Sequence, residues 1–275
     1  MIYRKRICLI GAGSGIGRAL ALKLASRGNR VVISGRNLQA LESVAAEAGA
    51  LSASDSATQK DTANQTTVVP AGLIPVRCDV TDDQQISDVV SRVASELGGL
   101  DLLIYCAGRC EYIDNAQLQT ALFRRLYDVN VFGLVNAIQA ALPLMKTSSD
   151  RPHIVGVASL SAVVGLPRAE AYGSSKAAAI YLLNALRLDL VDQNFDVTIV
   201  NPGFVETPMT KNNDFPMPFI MQGEEAANHI VAGITRRKRT VNFPLRLWMM
   251  LKLAAMFPSI WFRIIGPRLV RSGGS

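Results

Sequence analysis

The sequence predicts an α/β fold: one doubly wound Rossmann-type domain, with a parallel sheet of about seven strands and helices on both faces. Three observations carry this. Short apolar runs alternate with stretches of helical periodicity from Arg6 to Phe243, the order that builds βαβ units. The first run passes straight into a glycine-rich turn and then into a helix. The chain has 275 residues, 49% of them apolar, enough for one large core.

The elements follow in order. Arg6 to Gly11 contains ICLI, a short apolar strand ending in glycine. Gly11-Ala12-Gly13-Ser14-Gly15-Ile16-Gly17 comes next and opens the helical run RALALKLASRG, closed by Gly28. Strand, glycine turn and helix together are the setting of a dinucleotide site. Glycines let the backbone approach a pyrophosphate, whose charge then rests on the helix N-terminus. The alternative is a tight turn with no ligand.

Val31 to Ser34 is the second strand. Its C-terminal end meets the adenosine ribose in dinucleotide folds, where an acid binds a 2′-hydroxyl and an arginine accommodates a 2′-phosphate. The residues here are Ser34-Gly35-Arg36-Asn37, without an acid. Arg36 therefore points to NADP(H) as cofactor, through the planar fork of its guanidinium. The alternative is that Arg36 only opens the helix NLQALESVAAEAG.

Residues 50–72 lack apolar periodicity and read as a flexible insertion. Ile74 to Cys78 is the third strand, with Asp79 and Val80 at its C-terminal end, facing an adenine or only leading into the next helix. Asp101 to Tyr105 is the fourth, followed by Cys106-Ala107-Gly108, small residues that let a ribose come close. Residues 116–145 form a long helical stretch around Asn130. An asparagine among apolar neighbours is either a satisfied structural amide or part of a site.

His153 to Ala158 is the fifth strand, and Ser159 stands at its C-terminal end. Ligands of open parallel sheets bind outside such ends. Tyr172 and Lys176 follow at the start of a helix. At i and i+4 they share a face. A neighbouring ammonium lowers the pKa of a phenol from about 10, which would make Tyr172 an acid and base near neutral pH. After the sixth strand, DVTIVNPG, a loop carries Met209, Phe215, Met217, Phe219 and Met221. Such a loop adapts to an apolar ligand or packs under the core.

These residues, over roughly 5–243, resemble the classical short-chain dehydrogenase/reductase family. The glycine turn is similar to that family's TGxxxGIG, with Ile10 in place of threonine. Asp79 is similar to its adenine-contacting acid. Asn130, Ser159, Tyr172 and Lys176 match its catalytic tetrad in order and spacing, and Pro202, Gly203, Val205 and Thr207 match its PGxVxT segment at the nicotinamide end. Its NNAG is replaced by Tyr105-Cys106-Ala107-Gly108, a departure that bears on loop rigidity more than on chemistry. The resemblance implies that Ser159 binds the substrate oxygen and Tyr172 exchanges its proton. Lys176 lowers the tyrosine pKa and binds the nicotinamide ribose, and Asn130 holds a proton-relaying water. It implies a ketone or aldehyde interconverted with an alcohol, and a homo-oligomer formed through the long helices. A catalytically idle nucleotide-binding scaffold would not call for Tyr172 and Lys176 together.

The net charge of +7 is local. Residues 236–275 hold nine Lys or Arg and no Asp or Glu, whereas residues 1–235 hold 20 basic and 22 acidic side chains. The body is therefore not a nucleic-acid binder. Residues 244–275 form a basic, apolar extension with Trp248 and Trp261, interrupted by Lys252 and Pro258. That excludes a membrane span of about 20 apolar residues. It leaves contact with an anionic membrane surface, in a protein acting through its tail, or an arm packed on the body or on a partner subunit. Four cysteines without a pairing pattern predict reduced thiols and no zinc site, and the apolar run after Arg6 is too short for a signal peptide. A cytoplasmic protein is expected.

Overall fold

The structure is a computed structural model that describes residues 2–58, 72–211 and 213–270. Strand β1 (Arg6–Ile10) leads through the glycine turn to helix α1 (Gly15–Ala25), followed by β2 (Arg30–Gly35), α2 (Leu38–Thr58), β3 (Gly72–Arg77) and α3 (Asp83–Leu97). The second half runs β4 (Leu102–Tyr105), α4 (Thr120–Tyr127), α5 (Gly133–Ser148), β5 (His153–Val157), α6 (Glu170–Asp189), β6 (Asp196–Pro202), α7 (Gly223–Thr235), β7 (Thr240–Phe243) and α8 (Leu245–Met256). The seven strands pair in parallel in the order β3-β2-β1-β4-β5-β6-β7.

Side-chain alternation along the strands splits the core into two layers. Cys8, Ile10, Leu103 and Tyr105 face α3, α5 and α6, whereas Ile7, Leu9, Leu102 and Ile104 face α1, α2 and α7. All eight are buried. The winding reverses between β1 and β4, so their C-terminal ends splay apart. That is where a doubly wound sheet opens a crevice.

Two expectations change. Helix α2 continues to Thr58, so residues 50–58 of the expected insertion are helical. No proline interrupts them and alanine recurs through residues 45–57, which favours helix even without an apolar stripe. Residues 59–71 of that expected insertion lie outside the described residues, and Gly72 already belongs to β3. The helix expected from residue 116 starts at Thr120, because Asn115 and Ala116 take φ of 50° and 53°, left-handed conformations that an L-residue helix excludes. It also contains a π-helical turn, Asp128–Phe132, before α5.

Helix α6 reaches the sheet because β5 offers no side chain at Gly156. A Cβ there would lie 2.3 Å from Leu183 Cδ1. Gly156→Ala is expected to lower stability by roughly 1–3 kcal/mol, the usual penalty for overpacking. A urea melt reads this directly, and an unchanged midpoint would contradict the packing described.

Candidate active site

The crevice between β1 and β4 is a cleft of about 670 Å³ at the C-terminal edge of the sheet. Its floor is the glycine turn. Gly11, at φ +92°, approaches the end of β4 so closely that a Cβ would lie 2.4 Å from the Ala107 nitrogen. The Gly11 and Ala12 N–H groups donate to the Ser34 carbonyl at 2.8 and 2.9 Å, tying the turn to β2. Gly13 differs from Gly11. A Cβ on it would meet nothing nearer than 3.8 Å within the protein, so packing alone does not demand glycine there. The position leaves room for a group outside the chain, at the N-terminus of α1, where backbone N–H groups and the helix dipole favour phosphate. The cleft thus fits a dinucleotide.

Ser14, Gly15, Ile16 and Gly17 complete this floor, and Val80, Ala107, Gly108, Pro202, Gly203, Val205 and Thr207 line the walls. Arg36 stands exposed at the rim just past β2, with no hydrogen bond or ion pair among the described residues. Asp79 also lines the cleft, its carboxylate accepting from the Thr81 N–H at 3.0 Å and hydroxyl at 2.8 Å. Thr207 closes against the turn from the far side: a Cβ on Gly15 would lie 2.9 Å from its methyl. Thr210 braces Thr207, its hydroxyl accepting from the Thr207 N–H at 3.0 Å and donating to the Val205 carbonyl at 2.7 Å.

Ser159, Tyr172 and Lys176 meet on one wall. Ser159 caps a short turn, its Oγ accepting from the Ser161 N–H at 3.1 Å. Lys176 Nζ lies 6.0 Å from the centroid of the Tyr172 ring and donates to the Val157 carbonyl at 3.0 Å. Burial pulls the ammonium down to about 8, against the pull of Cys106 and Cys110. Burial also pushes the Tyr172 phenol up, helped by Cys110 and opposed by hydrogen bonding with Ser159. The expected lowering of the tyrosine by Lys176 is therefore not the dominant effect. Desolvation of the phenol, rather than the neighbouring ammonium, sets the direction of the shift.

Asn130 stands behind this wall rather than on the cleft surface, 1% exposed, in the π-helical turn. Its Oδ1 accepts from the Arg109 N–H, and its Nδ2 donates to the Arg109 carbonyl and to Ser175 Oγ, all at 2.9 Å. Ser175 Oγ in turn donates to the Tyr172 carbonyl at 2.7 Å. The amide is a satisfied buried group that also joins the loop after β4 to the second turn of α6. Tyr105 supports the same region from the sheet. Its buried hydroxyl donates to the Val129 carbonyl at 2.5 Å. A tyrosine thus braces the π-helical turn in a chain that lacks the NNAG asparagines.

Of the loop expected to meet an apolar ligand, Met209 lines the cleft. Phe215 instead packs edge-on to Tyr112 and Phe204, and Met221 is buried beside Val205. Met221 thus packs under the core, as one sequence reading of this loop expected, while Met209 is left facing the cleft. Sequence reasoning missed the Val157 carbonyl, Ser175 and the Arg109 backbone. Backbone partners leave no mark in residue type, although Ser175 sits inside the YxxxK element. Among the described residues, no cluster of His, Cys, Asp and Glu is arranged to hold a metal ion.

Comparison with known proteins gives the family. The family profile described as short chain dehydrogenase matches residues 5–72 and 60–216. An uncharacterized oxidoreductase of Myxococcus xanthus is 35% identical over 271 residues, 98% of each chain. One of Staphylococcus epidermidis is 30% identical over 236 residues, 86% of this chain and 93% of its own. One of Staphylococcus aureus is 30% identical over 228 residues, 83% and 90%. The chain belongs to the short-chain dehydrogenase/reductase family. It is an oxidoreductase that uses a nicotinamide dinucleotide, NAD or NADP.

Tyr105→Phe removes the donor from a buried carbonyl. It is expected to lower stability by about 1–3 kcal/mol in a denaturant melt, the penalty of an unsatisfied buried acceptor. Equal stability of the variant would show that Val129 has another partner.

Proposed function

We propose that the protein is an NADP(H)-dependent oxidoreductase interconverting an apolar ketone or aldehyde with its alcohol. The observation that carries this is the meeting of Ser159, Tyr172 and Lys176 on one wall of a cleft whose floor is a phosphate-binding turn. When bound, the nicotinamide supplies or accepts the hydride. Ser159 Oγ binds and orients the substrate oxygen. Tyr172 Oη gives its proton to that oxygen in reduction and takes one in oxidation. Lys176, held by the Val157 carbonyl, stabilises the tyrosinate left after proton donation. Asn130 keeps the wall in register through Arg109 and Ser175.

Arg36 supports NADP(H) over NAD(H). Its exposed guanidinium stands at the end of β2, without an acid at Ser34–Asn37 to bind a 2′-hydroxyl. An apolar substrate is supported by Met209 in the cleft. A homo-oligomer through the long helices is supported by exposed Phe132, just before α5, and by Tyr181 and Leu188 on α6. Four free cysteines fit a reducing compartment such as the cytoplasm.

The test is a panel of ketones and alcohols followed at the nicotinamide absorbance with NADPH and with NADH. Wild type should turn over with NADPH preferred. Arg36→Ala should lose that preference by at least about tenfold, a fraction of what a charge-assisted pair contributes, and Tyr172→Phe should bind NADPH without turnover. Preference for NADH, or full activity of the phenylalanine variant, would sink the assignment.

The pH dependence has a definite sign. Lys176 is charged below about pH 8 and neutral above it, so its support of the tyrosinate fades as pH rises. The kcat/KM for reduction should be level below about 8 and fall above it. Lys176→Arg, which stays charged, should not show that limb. A level wild-type profile to pH 10 or so would contradict the role given to Lys176.

A further inference from the structure

We infer that the C-terminal arm, Leu245–Val270, seats the protein on an anionic lipid bilayer, with the outer wall of the catalytic cleft against the lipid. The arm has two faces. On the inner one, Leu247 and Leu251 are buried against Leu160 and Leu166, in the segment that links Ser159 to Tyr172. Leu247 also backs the cleft residue Gly203, where a Cβ would lie 2.8 Å from its Cδ2. Trp261 Nε1 donates to the Gly165 carbonyl at 2.9 Å, anchoring the far end to the same segment. The arm is therefore docked at a definite place, behind the cleft residue Gly203.

The outer face is unlike the rest of the surface. Among the described residues, 23 large apolar side chains are exposed, and 12 of them lie between Leu245 and Val270. Met250, Leu253, Met256 and Phe262 are each more than half exposed. Arg246, Lys252, Arg263 and Arg268 are exposed among them, and the arm contains no acid. Apolar surface interspersed with cations fits the boundary between head groups and acyl chains, where lysine and arginine stems snorkel towards phosphate.

Two other occupants fit less well. The arm is not one straight span: Leu245–Met256 and Pro258–Leu269 meet at 96°. Its cations are spread along both halves, so no stretch of about 20 uncharged residues exists to cross a bilayer. A second copy of the chain would set these cations against their own counterparts across a two-fold axis, with no acid in the arm to neutralise them. An anionic bilayer supplies the missing negative charge. If the reading of the cleft as a carbonyl site holds, the substrate is a lipid-soluble ketone or alcohol drawn from that bilayer.

The test uses the full chain. It is sedimented with vesicles of phosphatidylcholine alone and of phosphatidylcholine mixed with phosphatidylglycerol. The bound fraction should be at least about tenfold higher on the anionic vesicles and fall with added salt, which screens surface charge. Met250→Glu with Met256→Glu, and separately Arg246→Glu with Lys252→Glu, should each reduce binding about tenfold or more. These side chains are exposed, so the variants should keep wild-type turnover of a small water-soluble ketone but lose it on a long-chain ketone carried in the vesicles. Equal binding to both vesicles, no binding, or wild-type binding by the variants would overturn the proposal. So would a dimer, seen by sedimentation velocity, that dissociates in the methionine variant while vesicles capture none of the protein. Vesicle binding is read without turnover, so an inactive protein that still binds would sink the carbonyl reading and leave the docking intact.

Discussion

The site depends on one interaction, the bond from Lys176 Nζ to the Val157 carbonyl. A lysine that is 5% exposed must have a fixed partner, or burial would drive off its proton. Val157 is the last residue of β5 and Lys176 lies in the second turn of α6. The bond therefore closes the Ser159–Tyr172 segment into a loop with defined ends. Gly156 next door allows α6 to come that close. Ser159 and Tyr172 then face the cleft because the two ends leave them little choice.

A second layer of bonds keeps this geometry from relaxing. Asn130 grips the Arg109 backbone from both its N–H and its carbonyl and reaches Ser175 on α6, while Tyr105 braces the same π-helical turn from β4. The groups joined come from strand, loop and helix far apart in sequence. Burial makes each bond matter, since an unpartnered polar group has no water to turn to. The arm adds a third support from outside, packing Leu247 and Leu251 under the Ser159–Tyr172 segment.

Much of this was legible in the sequence because local geometry dictates it. The glycine turn is readable because Gly11 must adopt a positive φ and meet the end of β4 without a side chain. The seven strands show as apolar runs because a parallel sheet is covered on both faces. Helix α2 runs past the point where its stripe fades, since alanine sustains helix without an apolar face. The π-helical turn at Asn130 was not legible either, because Val129 and Asn130 are pulled into it by partners on β4 and α6.

By itself the sequence determined the class of fold, the succession of strands along the chain and the candidate reacting side chains, because periodicity and i,i+4 spacing act over a few residues. Tertiary structure alone decided the state of those groups. Tyr172 and Lys176 were spaced to interact, yet burial dominates both of their proton affinities. It also decided which face of the basic arm packs inward and which faces out. Desolvation is a property of everything that surrounds a group, and residues distant in sequence supply most of those surroundings.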